Sequence, residues 1–488
     1  MPLVAALKEY SQSKPAYFCV PGHRFGRGIS EEWVPEKEKG VFNFDLTEAT
    51  GLDDLHQPGG AIKEAQELTA QLFRTRKSFF LVNGTTCGNE AMILSCVQAG
   101  DKIIVPRNAH KSVLAGLILS GATPVYVTPE WIPEWGIWGG CAPEKIRKLL
   151  KEQPEIKAVL MVTPSYYGLV DKLDEISAVC REFDCRLLVD EAHGAHLYFS
   201  DELPAGALTS GADMCVQSFH KVTGSLTQSS VLHVAAQVVD TTFLQENLQM
   251  LQSSSPSYLL MASLDAARYE LAKNGEAMSG RALSLAQQAR TEINKIMGVH
   301  CLGKEIIGRC AVNDIDLTKL VITARDIGLS GFELKEMLMS EYGVETELAD
   351  YHNVLAIITF ANIESEIDKL IKAIDKIARN HRKETAKRLV AMKMPPVPMM
   401  QLTPREAHFS LRKRVTWQSA IGQVAGEAII PYPPGIPIVY PGEIITPESW
   451  EYIEGFRKEG CHFHGVADEQ LVTIAIIEQT NEANNTRI

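Results

Sequence analysis

A lysine at position 221 stands between a histidine and a run of small hydroxyl residues, in the stretch SFHKVTGSLTQSS (218–230). The apolar run ADMCVQS (212–218) precedes it and predicts a buried strand. Burial would lower the pKa of the Lys221 amine and make that amine a nucleophile. The alternative is an ordinary lysine at a strand end, whose ammonium reaches water.

A pair of hydroxyl residues follows another short apolar strand, SFFLVN (78–83). The segment Gly84-Thr85-Thr86-Cys87-Gly88 breaks this strand and leads into a helical pattern. Hydroxyls at a helix N-terminus can bind a phosphate together with backbone N–H groups and the helix dipole. Taken alone, Thr85 and Thr86 are explained at least as well by simple helix capping.

Two more strand ends carry polar side chains. Asp190 ends the strand CRLLVD (185–190), and His110 lies just beyond DKIIVP (101–106). A carboxylate at the end of a buried strand is costly unless a cation or a hydrogen-bond donor meets it. The interval between Asp190 and Lys221 leaves room for a helix and one further strand, so both can reach one crevice. His110 alone is explained by a helix start without a function.

These residue types together match the requirements of pyridoxal 5'-phosphate (PLP). A lysine amine forms a Schiff base with its aldehyde, a carboxylate holds a proton on its pyridine nitrogen, and a hydroxyl-rich loop binds its phosphate. A flat side chain such as His110 can lie against the ring. Because a protonated ring accepts electrons, an acid rather than an amide is expected at position 190.

The elements that must position these residues follow an alternating pattern of helices and short apolar strands from about residue 60 to 260. This alternation predicts an α/β domain whose sheet is largely parallel and covered on both faces. Sites in such sheets form at the carboxyl ends of the strands. From about residue 319 a β-α-β-β-α order predicts a small α+β domain, with Ser330 and Glu333 in capping-box spacing.

The C-terminal fifth of the chain differs in composition. A basic run, RKETAKR (382–388), and the proline-rich PPVP (395–398) indicate a linker. The segment GEAIIPYPPGIPIVYPGE (426–443) contains five prolines, which exclude a helix and favour extended chain and turns.

Composition excludes several classes of protein. The formal net charge of −12 argues against a nucleic-acid partner, and no apolar run approaches the length that spans a bilayer. The N-terminal residues lack the features of a signal peptide. The ten cysteines are scattered without a C-x-x-C pair, which argues against a zinc site or a disulfide framework. We therefore expect a cytoplasmic protein without a metal site.

Six segments resemble the bacterial ornithine/lysine/arginine decarboxylases of fold type I, and the resemblance runs from near residue 15 to near residue 475. It looks closest to the short biosynthetic arginine decarboxylases of Gram-positive bacteria, which lack the N-terminal domain of the long acid-induced enzymes. The segments are PGHRFG (21–26), DLTEATGLDDLHQPGGAI (45–62), PRNAHKS (106–112), DEAHGAHLYF (190–199), SFHKVTGSLTQSS (218–230) and YPPGIPIVYPGE (432–443).

The resemblance implies a fold and an assembly. It implies an aspartate aminotransferase-like large domain with a mainly parallel seven-stranded sheet, a small α+β domain and a C-terminal α+β domain. The expected domains are an N-terminal arm (1–40), the PLP-binding domain (41–270), the small domain (271–390) and the C-terminal decarboxylase domain (391–488). Family members are homodimers with active sites at the subunit interface, and some assemble further.

The resemblance also implies residue roles. Lys221 would carry the cofactor as a Schiff base, Asp190 would face its pyridine nitrogen, and His110 would stack on its ring. Ala192 and His193 would line the other face of the ring and the side of the substrate carboxylate. The phosphate-binding positions would be Thr85, Thr86, Ser218 and His220.

The implied reaction is decarboxylation of a basic L-amino acid through the internal aldimine at Lys221 and a quinonoid intermediate. Resemblance favours L-arginine, which yields agmatine and carbon dioxide for polyamine and spermidine synthesis. Lysine and then ornithine are the alternatives. The proton donor to Cα stays open between Lys221 and His193.

A basic substrate needs an acidic partner at its distal end. Glu443 is the first candidate, followed by Asp53 and Glu48, and for each the alternative is a surface carboxylate or a structural ion pair. Two rival functions remain open. An aminotransferase would need an arginine for the α-carboxylate, such as Arg107 or Arg268, and a non-catalytic homologue would be expected to lose Lys221 or Asp190.

Overall fold

The computed structural model describes residues 1–381, 395–432, 436–458 and 461–478. The chain divides into two compact units, the first formed by residues 1–95 and 187–278 and the second by residues 96–186 and 279–488. The domain boundaries expected from the sequence stay a prediction. The one at residue 390, together with the basic run 382–388, lies outside the described residues.

The helices of the described residues include the predicted helix that begins near residue 61 and the long amphipathic helix before residue 381. In chain order they are α1 Pro2–Gln12, α2 Ala61–Leu72, α3 Gly84–Cys96, α4 Lys111–Ser120, α5 Pro143–Glu152, α6 Leu173–Glu182, α7 Phe219–Val222, α8 Thr241–Leu251, α9 Tyr258–Ile293, α10 Gly331–Tyr342, α11 Glu364–His381, α12 Pro404–Phe409, α13 Trp417–Ala420 and α14 Pro447–Lys458.

The strands of the described residues are short, and the longest has seven residues. In chain order they are β1 Lys77–Leu81, β2 Lys102–Pro106, β3 Thr123–Val127, β4 Trp131–Ile132, β5 Ile137–Trp138, β6 Ile156–Val162, β7 Leu169–Val170, β8 Arg186–Asp190, β9 Met214–Gln217, β10 Ser230–Val234, β11 His300–Cys301, β12 Asp314–Ile315, β13 Lys319–Thr323, β14 Leu348–Ala349, β15 Asn353–Ile357, β16 Arg412–Thr416, β17 Ile430–Tyr432, β18 His462–His464 and β19 Thr473–Ile477.

The seven strands that the family resemblance implies for the large sheet are present, four in the first unit and three in the second, and most of their pairings within the units are parallel. In the first unit the order is β1-β10-β9-β8, with β8 and β9 parallel and β10 antiparallel to both of its neighbours. In the second unit β2 lies between β6 and β3 and runs parallel to both. Asp190 and Ser218 therefore lie at the carboxyl ends of adjacent parallel strands.

Two glycines allow α3 to begin close to these strand ends. Gly84 has a φ of +69°, which lets the chain turn sharply from β1 into the helix. A Cβ at Gly88 would lie 2.4 Å from Cγ2 of Val216 on β9 and 2.9 Å from Cδ1 of Leu81. Because only hydrogen fits there, the first turns of α3 pack directly against the sheet.

The second unit contains the predicted small α+β region. Strands in the order β11-β13-β15-β14 form an antiparallel sheet whose apolar core includes side chains of α10 and α11. Ser330 and Glu333 form the predicted capping box at the start of α10. The second strand of the β-α-β-β-α order is short, since only Leu348–Ala349 pairs with β15. This strand lies at the sheet edge, where short strands limit unwanted pairing.

The C-terminal part of the second unit has its own apolar core. The strand pairs β16–β19 and β17–β18 surround it, and the rings of Trp417 and Trp450 stack at 4.2 Å within it. The described part of the segment 426–443 combines extended chain with bends and a turn and contains no helix, as its prolines predict, and residues 433–435 lie outside the described part. Within the described ranges, none of the helices combines the length and apolarity that a bilayer crossing requires.

Candidate active site

Asp190 is the best-defined acid at the strand ends of the first unit. Its side chain is 3% exposed. Its Oδ2 accepts a hydrogen bond from Nδ2 of Asn89 at 2.7 Å, and its Oδ1 accepts one from the backbone N–H of Ala192 at 3.1 Å. Asn89 lies on α3, so the close packing of that helix brings the amide to the carboxylate. These two donors offset part of the cost of burying a charge and fix the plane of the carboxyl group.

Lys221 lies next to His193. It belongs to the short helix α7 just beyond β9 and is half-buried. Its Nζ is 2.9 Å from Nε2 of His193, which is itself 4% exposed. A lysine amine and an imidazole at this distance can exchange a proton, which is the pairing that an activated nucleophile needs.

The predicted phosphate-binding residues lie around the N-terminus of α3. The hydroxyls of Thr85 and Ser218 form a hydrogen bond, and Thr86 is exposed in the same helical turn. His220 contacts the carbonyl oxygen of Ser229 through Nδ1 at 2.8 Å, and burial lowers the pKa of His220. Because a carbonyl oxygen only accepts, Nδ1 of His220 donates to Ser229, and the hydroxyls and the helix N-terminus are the groups here that suit an anion.

His110 lies in the second unit and begins α4 as its N-cap. Its Nδ1 accepts a hydrogen bond from the backbone N–H of Ser112 at 3.2 Å. This contact places the remaining ring proton on Nε2. The simple helix-start role considered from the sequence is thus present, and stacking on a cofactor stays a prediction.

Glu443, the first candidate for substrate binding, is fully buried and paired with Arg107. Both carboxylate oxygens contact the guanidinium, the second at 3.3 Å, and Oε2 also accepts the N–H of Tyr440 at 2.8 Å. The guanidinium carbon lies 4.8 Å from the ring of Tyr126 and 4.5 Å from that of Tyr440. This is the structural ion pair named above as the alternative, and the pairing argues against a substrate role.

Asp53 is also occupied by backbone groups. Its Oδ1 accepts the N–H of Gly59 at 2.8 Å, and its Oδ2 accepts those of Ile62 and Lys63 at 2.9 and 3.0 Å. It therefore caps α2 from a distant position in sequence. Glu48 is exposed and hydrogen-bonded to the hydroxyl of Thr47. Substrate roles for both acids stay predictions.

The two arginines considered for an aminotransferase, Arg107 and Arg268, both form ion pairs within the protein. Arg268 forms a buried ion pair with Asp265, whose Oδ2 also accepts the N–H groups of Leu3 and Val4 at the start of α1. Arg107 pairs with Glu443 as described. Each guanidinium is already paired with a carboxylate of the protein, which weakens the aminotransferase alternative.

Two residues beside the candidate site do not stand out in the sequence. Asn89 lies within a helical pattern, one helical turn after Thr85, and so shares its face. Glu191 directly follows Asp190, is fully buried and accepts several hydrogen bonds. A second acid directly after a strand-end aspartate was the available signal.

Comparison with known proteins identifies the family. Residues 1–366 match the model of the Orn/Lys/Arg decarboxylase major domain, and residues 383–476 match that of its C-terminal domain. The chain belongs to the Orn/Lys/Arg decarboxylase family. It is 40% identical to an arginine decarboxylase of Halalkalibacterium halodurans and 38% identical to one of Bacillus subtilis, each over 98% of both chains. The resemblance inferred from the sequence is confirmed.

Solved structures of similar fold extend this result. A Francisella novicida lysine decarboxylase, LdcF, aligns with a TM-score of 0.84 at 21% identity, covering 98% of this chain and 81% of its own. An alanine–glyoxylate aminotransferase from Nostoc aligns with a TM-score of 0.52 at 17% identity, covering 65% of this chain and 86% of its own. The predicted fold class of this decarboxylase-family chain is confirmed.

Proposed function

We propose that this chain is a PLP-dependent decarboxylase that converts L-arginine to agmatine and carbon dioxide. The printed names of the relatives at 38–40% identity support arginine as the substrate. The inducible lysine decarboxylase of Escherichia coli is 24% identical over 95% of this chain and 78% of its own. Lysine is therefore the second candidate substrate, and ornithine the third.

The observation that carries the proposal is the fit of one set of side chains in the first unit to PLP. A half-buried amine, a held carboxylate and paired hydroxyls at a helix N-terminus are the three groups that this cofactor requires. Lys221 would hold it covalently, Asp190 would face its ring nitrogen, and Thr85, Thr86, Ser218 and His220 would bind its phosphate. When bound, PLP supplies a sink for the electrons released as the Cα–carboxylate bond breaks.

The remaining steps fall to the protein. Asn89 fixes the orientation of Asp190, whose negative charge would keep a proton on the ring nitrogen. His193 and Lys221, 2.9 Å apart, would hold and deliver the proton that replaces the carboxylate at Cα. Ala192 would line one face of the ring, and we retain His110 as the proposed stacking residue on the other.

We propose that an acidic side chain binds the guanidinium at the distal end of the substrate, and the candidates are Glu443, Asp53 and Glu48. Glu48 is exposed, whereas Asp53 and Glu443 accept several hydrogen bonds from the protein. A homodimer or larger homo-oligomer and a role in polyamine synthesis complete the proposal and are supported by the family resemblance. A cytoplasmic location is also part of the proposal and is supported by the composition of the sequence.

The test is release of carbon dioxide by the purified protein with PLP, offered L-arginine, L-lysine and L-ornithine in parallel, with product amines identified by mass. Dominant agmatine is the expected result. Dominant cadaverine or putrescine would keep the reaction and change the substrate. A keto acid in place of an amine would show an aminotransferase and overturn the proposal.

A further inference from the structure

Glu191, the residue after Asp190, has a fully buried carboxylate that plays no part in the proposed chemistry. Oε1 of Glu191 accepts the N–H of Ala207 at 2.6 Å. Its Oε2 accepts the hydroxyl of Tyr198 at 2.7 Å and Nε2 of Gln217 at 2.6 Å. Burial raises the pKa of Glu191 to about 7, while these donors favour its ionised form.

The hydrogen bonds continue from Gln217 across the sheet. Its Oε1 faces Nε2 of His233 at 3.1 Å, and Nδ1 of His233 faces the hydroxyl of Ser78 at 2.8 Å. Because a carboxylate only accepts, Gln217 must point its amide nitrogen toward Glu191 and its oxygen toward His233. Burial lowers the pKa of His233 to about 3, so its ring is neutral and donates from Nε2. Each group in this network therefore donates to the next one, from Ser78 on β1 through His233 and Gln217 to Glu191.

Both ends of the Glu191–Gln217 contact adjoin the proposed site. Gln217 precedes Ser218, and Glu191 lies between Asp190 and the turn that carries His193. A Cβ at Gly194 in this turn would lie 2.4 Å from Cγ of Glu191, so the turn closes directly onto that side chain. Backbone bonds from Glu191 to Val216 and from Ser218 to Ala192 join the same two segments, at 3.0 and 3.3 Å.

We propose that Glu191 is a positioning residue, which acts through Gln217 and the 190–194 turn to set Asp190 and His193 against the segment that carries Ser218 and Lys221. This inference rests on the proposed function of that site. Glu191 itself touches neither cofactor nor substrate. The competing explanation is that the network stabilises the fold without affecting the geometry of the site.

The test compares PLP binding by the full-length apoprotein with its thermal unfolding. Glu191→Gln replaces one accepting oxygen with an NH2 group, which faces either the N–H of Ala207 or the donors of Tyr198 and Gln217 and pushes the neighbouring segments apart. A displacement approaching 1 Å costs about 10²-fold in reactions, so we expect PLP affinity to fall at least about tenfold. The matched control is Asp171→Asn in the second unit. Asp171 is also a buried acid, and burial raises its pKa to about 7 as well. This control should lose stability and keep the wild-type affinity.

A swapped pair separates positioning from simple destabilisation. In Glu191→Gln combined with Gln217→Glu, the amide donates to the new carboxylate, which can still accept from His233. The 191–217 link is restored with reversed direction, so the double variant should recover most of the lost affinity and the wild-type visible spectrum of bound PLP. If Glu191→Gln does not fold, Tyr198→Phe removes one donor to the same oxygen and should weaken PLP binding to a smaller extent.

The outcomes separate this inference from the proposed function. Wild-type PLP affinity and spectrum in Glu191→Gln, with only the unfolding temperature lowered, would overturn the positioning role. So would a swapped pair that binds PLP no better than the single variant. A wild-type protein that binds PLP but releases carbon dioxide from none of the three amino acids would overturn the proposed function, and the PLP measurements on Glu191 would still decide the inference.

Discussion

Nζ of Lys221 lies 2.9 Å from Nε2 of His193, and the two residues come from adjacent segments at the strand ends of the first unit. A nucleophilic amine and a proton acceptor are therefore already paired in the protein. Substitutions can distinguish the roles of the two side chains, because of the two only the lysine can form a covalent bond with an aldehyde.

Replacing Lys221 and His193 should separate attachment from proton transfer. Lys221→Ala should remove the covalent cofactor, so that borohydride reduction adds no cofactor mass to the protein. His193→Gln should keep that mass but lower the turnover number by about 10²- to 10⁴-fold, the usual contribution of a general acid or base. His300→Gln, at an exposed histidine of the second unit, serves as the control. Unchanged turnover in His193→Gln would remove this residue from the reaction.

Asp190→Asn should reduce turnover while leaving the fold intact. The amide oxygen can accept from only one of Asn89 and Ala192, so the amide NH2 faces the other donor and part of the stability is lost. The charge-assisted bond to the cofactor ring disappears, and its loss of roughly 1.5–3 kcal/mol corresponds to about 10- to 100-fold in rate. The measurements are turnover number and unfolding temperature of the PLP-loaded enzyme, with Asp171→Asn as the control. An Asp190→Asn enzyme with full turnover would contradict the assignment.

The pair of Arg107 and Glu443 should govern stability rather than substrate affinity. Glu443→Gln leaves a buried guanidinium without its counter-charge, at a cost of about 3–5 kcal/mol in unfolding free energy. Arg107→Gln combined with Glu443→Gln removes both charges and should recover part of that loss. Denaturant unfolding and the KM for arginine are measured on each variant. A raised KM with unchanged unfolding would instead support the substrate role first predicted for Glu443.

Asp53 should contribute a pH-dependent stability. Burial pushes the pKa of Asp53 upward, but hydrogen bonds from the N–H groups of Gly59 and Lys63 outweigh it, and the pKa falls below its usual 3.8. An acid with a lowered pKa stabilises the fold above its unfolded pKa and loses that contribution as the pH falls through the folded value. Asp53→Asn should therefore cost about 1 kcal/mol near neutral pH, and the difference should shrink below about pH 4.

The check for Asp53 is the unfolding free energy of wild type and variant between pH 3 and 7. Glu48→Gln, at an exposed acid in the same region, is the control and should change little at any pH. A difference between Asp53→Asn and wild type that grows as the pH falls would contradict the capping role.

Chemical type and chain order were enough to predict that Asp190 ends β8 and that Lys221 lies just beyond β9, and the catalytic roles of both residues stay predictions. Asp190 and Lys221 stood out because each follows a short apolar run, and the carboxyl ends of parallel strands meet at one edge. The small α+β region was predicted from its β-α-β-β-α order, and Ser330 and Glu333 marked the start of one of its helices by the spacing of a capping box. In these cases the signal lies within a few residues of sequence.

The partners of the acids could not be predicted, because they are distant in sequence or unusual in position. Glu443 and Arg107 are separated by 336 residues, and no local pattern distinguishes an acid paired with arginine from one that awaits a substrate. Asp53 caps a helix that begins eight residues later, whereas a cap is expected at the adjoining position. The contact of Asn89 with Asp190 could not be predicted without knowing how closely α3 approaches the sheet.

The close packing of α3 against the sheet also fixes the distance between two side chains of the candidate site. Thr85 and Asn89 are four residues apart on one face of α3, which places them about 6 Å apart along its axis. The first contacts Ser218 and the second holds Asp190, so the anion-binding end and the acidic end of the site are spaced by a single helical turn that is pinned at Gly88. In the proposed site, this spacing would set the distance between the groups that bind the cofactor phosphate and the carboxylate that faces its ring nitrogen.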